Sequence, residues 1–247
     1  MNKHVRNVLS GCAVMLLLPS ISAGAAETAP DKEAVEKIVR EYLLENPQVI
    51  AEALTVLEEQ RVAQEEQARK TAMSQVSELL FNSENQVTLG NPDGDVTLVE
   101  FFDYNCGYCK RALGDTFRLI EEDKNLRVVL KEFPVLGQPS VEAATVAIAL
   151  NQIAPEKYEE FHSLMLSSRG RANKQSALDT AKSIGVDTVR LQEAIDAGVA
   201  QATLQEVYSI AGTLGLTGTP SYAIGDEVVV GAVGYDTLKK KIEAERQ

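Results

Sequence analysis

The sequence predicts an α/β fold in which a small sheet carries an inserted helical domain and follows a long helical N-terminal extension. Three observations lead there. Residues 31–81 hold helical periodicity with no glycine and a single proline, Pro47. Two apolar runs, Val96–Phe102 and Leu126–Phe133, flank a helical stretch, the strand–helix–strand order that a right-handed crossover closes into a parallel pair. Ser221–Ile224 and Val228–Val230 are joined at Gly225-Asp226, a hairpin signal, and Tyr235–Glu245 reads as a closing helix.

The first 25 residues read as an export signal cut near Ala25. Lys3 and Arg6 precede an apolar segment, Val8–Leu18, and small residues follow in Ser22-Ala23-Gly24-Ala25-Ala26. A membrane span needs about 20 apolar residues, more than this core holds. Leu9-Ser10-Gly11-Cys12 resembles a lipoprotein cleavage box, but the apolar core lies mostly after Cys12, which argues against lipidation. Losing residues 1–25 removes Lys3, Arg6 and no acid, moving the net charge from −12 to −14. So acidic a chain is a poor binder of nucleic acid and of anionic membranes, and no nucleic-acid partner is expected, while 45% hydrophobic residues still supply a globular core.

Residues 26–82 form the extension. Asn46-Pro47 divides it, because Asn caps a helix start and Pro is favoured in the first turn. Val35, Ile38, Val39, Tyr42 and Leu43 make an apolar stripe on the first helix; Ile50, Ala53, Leu54 and Leu57 make one on the second. Glu58–Lys70 is almost wholly polar. A helix from Pro47 to Phe81 would run roughly 50 Å, longer than a small domain is wide, which suits a stalk or an oligomerisation arm. The alternative is a pair of helices folded onto the main domain.

Residues 83–247 form the second part. Val87–Leu89 reads as a short strand and Asn91-Pro92-Asp93-Gly94 as a turn. An insertion over about residues 139–213 is helical, its apolar residues, such as Ala143, Ala147 and Leu150, falling at three-to-four spacing. His162 lies within it and is assigned no role.

The chemistry is concentrated in Cys106-Gly107-Tyr108-Cys109. Two thiols three residues apart at a helix start share one face, with unpaired backbone N–H groups pointing toward them. A structural zinc site lacks ligands, since the only other candidates are Cys12, His4 and His162. Lys110 excludes haem attachment through Cys-x-x-Cys-His. A purely structural bridge would close so small a loop that it adds little stability. Thiol-disulfide exchange is left, and it needs no cofactor. If Cys12 leaves with the signal, only Cys106 and Cys109 remain, a pair with no partner for a stray bridge.

The order strand, Cys-x-x-Cys helix, strand, proline loop and hairpin resembles the thioredoxin fold. Gly215-Leu216-Thr217-Gly218-Thr219-Pro220-Ser221 looks like the cis-proline loop of that superfamily. Glu100-Phe101-Phe102-Asp103-Tyr104-Asn105-Cys106 and the helical insertion bring the resemblance to DsbA-like periplasmic thiol oxidoreductases. The Cys-Gly-Tyr-Cys motif, Lys131-Glu132-Phe133-Pro134-Val135-Leu136-Gly137 and the helical extension are similar to the ScsC branch, suppressors of copper sensitivity. Some members of that branch trimerise through the extension and isomerise disulfides; others are monomers.

The resemblance implies a periplasmic location and a catalytic set of Cys106, Cys109, Thr219, Pro220 and Glu100. Cys106 would be the exposed attacking thiolate and Cys109 the resolving thiol. Proximity to a helix start is worth about 0.3–2 kcal/mol to an anion, which makes a thiolate reactive without making it extreme. Gly107-Tyr108 adds no cation, unlike the Pro-His dipeptide of DsbA itself, so an intermediate redox potential is expected. Thr219-Pro220 would pair with client backbone beside the sulfur. Glu100 resembles the acid beneath the DsbA-like active site and would either relay a proton to Cys109 or form a structural ion pair, with Lys131 or Glu132 as candidates to face it.

The expected activity is that of a protein disulfide isomerase or reductase acting on disulfide-containing proteins, served by a membrane redox partner and assembled as a homo-oligomer, a trimer, through residues 31–81. A DsbA-type dithiol oxidase is the alternative. Cu(I) held by Cys106 and Cys109 is a third, since soft thiolates suit it.

Overall fold

The computed structural model describes residues 31–247, so the expected export signal and Cys12 lie outside the described residues. The chain divides into two compact units, the first ending at Glu58 and the second beginning at Glu59.

In the first unit, α1 (Lys32–Glu45) stops at Asn46, whose backbone N–H and side-chain amide both donate to the Tyr42 carbonyl, at 2.8 and 2.9 Å. Pro47 has no N–H to continue the ladder, and α2 (Gln48–Asn82) starts beyond it. No residue of α1 is buried. Val35, Ile38, Val39 and Tyr42 on α1, and Ile50, Leu54 and Leu57 on α2, stand exposed in the single chain. The apolar stripes expected from the sequence are therefore present and uncovered.

In the second unit, α2 keeps an exposed polar face through Lys70 and then buries Met73, Val76 and Leu80. These pack with Val207, Ile210 and Ala211 of α8 (Ala200–Thr213) against one face of a five-stranded sheet. Its strands are β1 (Val87–Gly90), β2 (Val96–Phe102), β3 (Leu126–Glu132), β4 (Ser221–Ile224) and β5 (Glu227–Val230), in the order β1-β3-β2-β4-β5. Only β2 and β3 run parallel; the remaining pairs are antiparallel. β2 is central and buried along nearly its whole length, as its unbroken apolar run dictates.

The pleat divides β2 between two cores. Val99 and Phe101 face α8 and the end of α2. Leu98 and Phe102 face the other side, where α3 (Gly107–Glu122), α9 (Tyr235–Glu245) and all of the insertion but its last helix pack. The insertion comprises α4 (Gln138–Ile153), α5 (Tyr158–Ser167), α6 (Lys174–Ser183), α7 (Thr188–Asp196) and α8. Asn173 and Ser176 form a reciprocal capping box at the start of α6, and the Asp187 carboxylate accepts from two backbone N–H groups at the start of α7. The Asn91–Gly94 turn closes with a 3.0 Å bond from Gly94 N–H to the Asn91 carbonyl. A Cβ at position 94 would sit 2.4 Å from the Asn125 carbonyl oxygen, so only glycine fits there.

Leu80 is fully buried, so Leu80→Ala is expected to lower stability by about 2–5 kcal/mol through lost burial and the cavity left behind. Leu54→Ala, at an exposed position, should change the unfolding of the second unit by no more than about 0.5 kcal/mol. Urea denaturation followed by circular dichroism distinguishes the two.

Candidate active site

β2 runs into the turn Asp103-Tyr104-Asn105, and Cys106 is the N-cap of α3. The Cys106 N–H donates to the Asp103 carbonyl at 2.9 Å and the Lys110 N–H to the Cys106 carbonyl at 3.0 Å, placing Cys106 at the mouth of the helix and Cys109 within its first turn. Both are free thiols.

The proline loop reaches this point because β4 lies beside β2, with Tyr222 opposite Glu100 and Ser221 opposite Phe101. The Thr219–Pro220 peptide is cis, and the Cys106 thiol donates to the Thr219 carbonyl at 3.1 Å. The Ser221 hydroxyl steadies the loop by donating to the Gly218 carbonyl at 2.8 Å. Cys106, Cys109, Thr219, Pro220 and Glu100 are thus gathered at one end of the two central strands.

Electrostatics separates the buried groups. Cys109 is completely buried, and desolvation of its thiolate pushes its pKa far up; the Asp103 backbone and the Thr219 side chain pull weakly the other way. Glu100 is raised to about 7, first by burial and slightly by Asp115, against a stabilising hydrogen bond from Thr116. The Thr116 hydroxyl donates to Glu100 Oε2 at 2.8 Å. Glu100 is near enough to Cys109 to add to the rise of its pKa, which puts a carboxyl raised to about 7 in the electrostatic reach of a thiol that holds its proton.

Two expectations are corrected. Cys106 is not openly exposed: the residue is 6% exposed, because its sulfur lies against the cis-proline loop. Glu100 makes no ion pair with Lys131. The parallel register sets Leu130 opposite Glu100 and Phe101 opposite Lys131, so Lys131 points to the other face. There its ammonium donates to the Leu79 carbonyl at 2.7 Å and to Glu206 at 3.4 Å, tying the end of α2 to β3 and α8.

Glu132 shares the Glu100 face by register but bonds elsewhere. It accepts a hydrogen bond from the Tyr158 hydroxyl and is raised to about 7 by its own burial. The Tyr158 and Tyr104 hydroxyls are 3.4 Å apart, and Tyr104 lies 3.5 Å from His162 Nδ1. Burial lowers His162 to about 3, so the ring is neutral and structural.

Sequence reasoning missed Asp103 and Asn105. The buried Asp103 carboxylate accepts from the N–H groups of Asn105, Val135 and Leu136 at 2.7, 2.9 and 3.0 Å. Asn105 pairs with Ala172 through both ends of its amide, at 2.7 and 2.9 Å, and donates to the Ser140 hydroxyl at 2.9 Å. Their place directly before Cys106 was the available signal, since Asp and Asn are the residues that hold turn backbones. Their partners lie 32 or more residues away for every contact but the local turn.

Sulfur exchange is the chemistry this geometry supports, on the architecture of the thioredoxin-fold thiol-disulfide oxidoreductases of the DsbA and ScsC type. Residues 82–244 match the family described as Thioredoxin, and the chain belongs to it. Residues 31–64 match the N-terminal domain of copper resistance protein ScsC. A thioredoxin-like oxidoreductase from Silicibacter pomeroyi is 41% identical, over 68% of this chain and 96% of that one, with a TM-score of 0.66. ScsC from Proteus mirabilis, as a linker-deletion mutant, is 26% identical over 91% of this chain and 99% of its own, with a TM-score of 0.67. A periplasmic thioredoxin-like protein from Salmonella enterica is 28% identical over 69% and 95% of the two chains, with a TM-score of 0.63.

The raised carboxyls make a pH prediction. Glu100 and Glu132 move up to about 7 from an unfolded value of 4.5, so the folded state binds more protons than the unfolded chain between these values. Their contribution is fully present below 4.5 and is lost as pH rises through 7, by about 3 kcal/mol per carboxyl at most. The urea midpoint should fall between about pH 5 and pH 8, and Glu100→Gln should flatten that fall. A midpoint that rises over the interval contradicts the assignment.

Proposed function

We propose that this protein is a periplasmic disulfide isomerase or reductase that works as a homotrimer assembled through residues 31–81, exported with cleavage near Ala25 and kept reduced by a membrane redox partner. The observation that carries the isomerase reading is the pair of uncovered apolar stripes on α1 and the first turns of α2, since so much exposed apolar surface calls for a partner helix. Several dithiols on one assembly raise the effective concentration of nucleophile around a bound client, which repeated bond shuffling requires. The ScsC match over residues 31–64 and the periplasmic Salmonella relative support the same reading.

In this mechanism the Cys106 thiolate attacks one sulfur of a client disulfide. A Cys106–client S–S bond forms as the client bond breaks, and its other sulfur departs as a thiolate. That thiolate attacks a second client disulfide, and the client thiolate freed in turn attacks the Cys106–client bond, so the client leaves with a rearranged disulfide and Cys106 returns as the thiolate, which is isomerisation. If the complex stalls, Glu100 takes the proton of Cys109, whose thiolate attacks Cys106 and releases the client reduced. Thr219 and Pro220 hold the client backbone as an extended segment beside the sulfur.

A second reading, Cu(I) binding, is favoured by the match to a copper resistance protein. Cys106 and Cys109 would hold the ion, and among the described residues no third ligand-type side chain joins them in a cluster, so the site would be exchangeable.

Cys106→Ser is expected to abolish refolding of scrambled ribonuclease, whereas Cys109→Ser should accumulate client-linked mixed disulfides on non-reducing electrophoresis. Equilibration with glutathione should give a potential between about −270 and −120 mV. Deleting residues 31–58, which spares Met73, Val76 and Leu80, should convert a trimer to a monomer by light scattering and depress isomerisation more than dithiol oxidation. An unchanged mass removes the argument for the arm. Thiol titration with Cu(I) tests the copper reading separately.

A further inference from the structure

The surface beside Cys106 has a charge opposite to that of the whole chain. The loop between α5 and α6 is drawn against the active site at alternate residues. Lys110 Nζ donates to the carbonyls of Ser168 at 2.9 Å and Gly170 at 3.3 Å. Ala172 is buried and paired with the Asn105 side chain at 2.7 and 2.9 Å. The residues between these anchors, Arg169 and Arg171, are exposed. Asn105 immediately precedes Cys106 and Lys110 lies one helical turn after it, so the backbone that carries the two arginines is anchored next to the Cys106 turn rather than being a free loop. Arg111 adds a further exposed cation, its guanidinium lying 4.2 Å from the centre of the exposed Tyr108 ring.

None of Lys110, Arg111, Arg169 and Arg171 takes part in an ion pair among the described residues. By contrast, Arg118, Lys131, Lys239, Lys241 and Arg246 all meet carboxylates. Asp103, the acid nearest Cys106 in sequence, is buried and spends its oxygens on three backbone N–H groups. The chain carries a net charge of −12, but charges are screened over about 8 Å at physiological salt. Of the acids beside this loop, Glu142 accepts from the Lys174 N–H at 3.4 Å, and Arg169 and Arg171 stand exposed without a carboxylate partner among the described residues, so an approaching client meets unpaired cations next to Cys106.

Resting on the exchange reading above, we propose that the rim formed by Lys110, Arg111, Arg169 and Arg171 selects clients whose cysteines are flanked by acidic residues. The rim draws Asp- or Glu-rich segments to Cys106 and raises the rate of encounter; the step that follows is the same thiolate attack, with no additional reactant. The same cations disfavour cysteines in lysine-rich segments, which gives the enzyme a preference set by charge rather than by shape.

The test uses the full-length reduced protein and two synthetic peptide disulfides, one with Asp and one with Lys on both sides of the cysteine. Second-order rate constants of mixed-disulfide formation are measured at about 20 mM and about 0.5 M salt. The acidic peptide is expected to react about tenfold faster at low salt, with the advantage collapsing at high salt. The Arg169→Gln/Arg171→Gln double variant should lose most of that advantage while keeping its circular dichroism spectrum and its rate of alkylation by neutral iodoacetamide. Arg171→Lys, which keeps the charge, should retain it. Equal rates for the two peptides, or an advantage that persists in the double variant, overturn the charge preference alone. Failure to react with either peptide overturns both this inference and the exchange reading it rests on.

Discussion

The pairing of β2 with β4 is the constraint on which the site depends. One strand ends in the dithiol helix and the other begins just after the cis proline, so their antiparallel register brings residues more than a hundred positions apart to hydrogen-bonding distance. The 3.1 Å contact between the Cys106 thiol and the Thr219 carbonyl is a product of that register, not of local sequence. A one-residue slip would turn Glu100 out of the apolar side it shares with Leu98 and Phe102 and would carry the proline loop away from the sulfur.

Around this pairing, the turn before Cys106 works as a junction. Asp103 binds it to the Val135–Leu136 segment that follows β3, and Asn105 binds it to α4 and to the loop before α6. Both side chains satisfy backbone groups that a loop would otherwise leave unpaired near a buried site. The insertion is thereby part of the active site, although it contributes no sulfur and no acid.

Much of this was legible in the residues. Helix and strand boundaries around 96–102 and 235–245 follow from unbroken apolar runs and period, and Cys-x-x-Cys at a helix start specifies its chemistry almost alone. What stayed hidden required register or distance. Which face Lys131 takes depends on a single-residue offset between β2 and β3, and apolar patterning cannot supply it because both faces of the sheet are buried. The near-closure of Cys106 depends on a loop 113 residues away. The arginines at 169 and 171 read as ordinary solvated charge until Lys110 and Asn105 are seen gripping the backbone on either side of them.

The deep burial of Cys109 has a kinetic meaning. In the isomerase reading proposed above, a buried sulfur that surrenders its proton reluctantly would be a slow escape route, and the delay would act as a timer on the covalent complex. While the timer runs, a tethered chain is free to rearrange its own bonds and leave by itself; only chains that fail to do so are cut loose. On that reading, depth of burial at one position would set the patience of the enzyme, the interval it allows a substrate before ending the encounter.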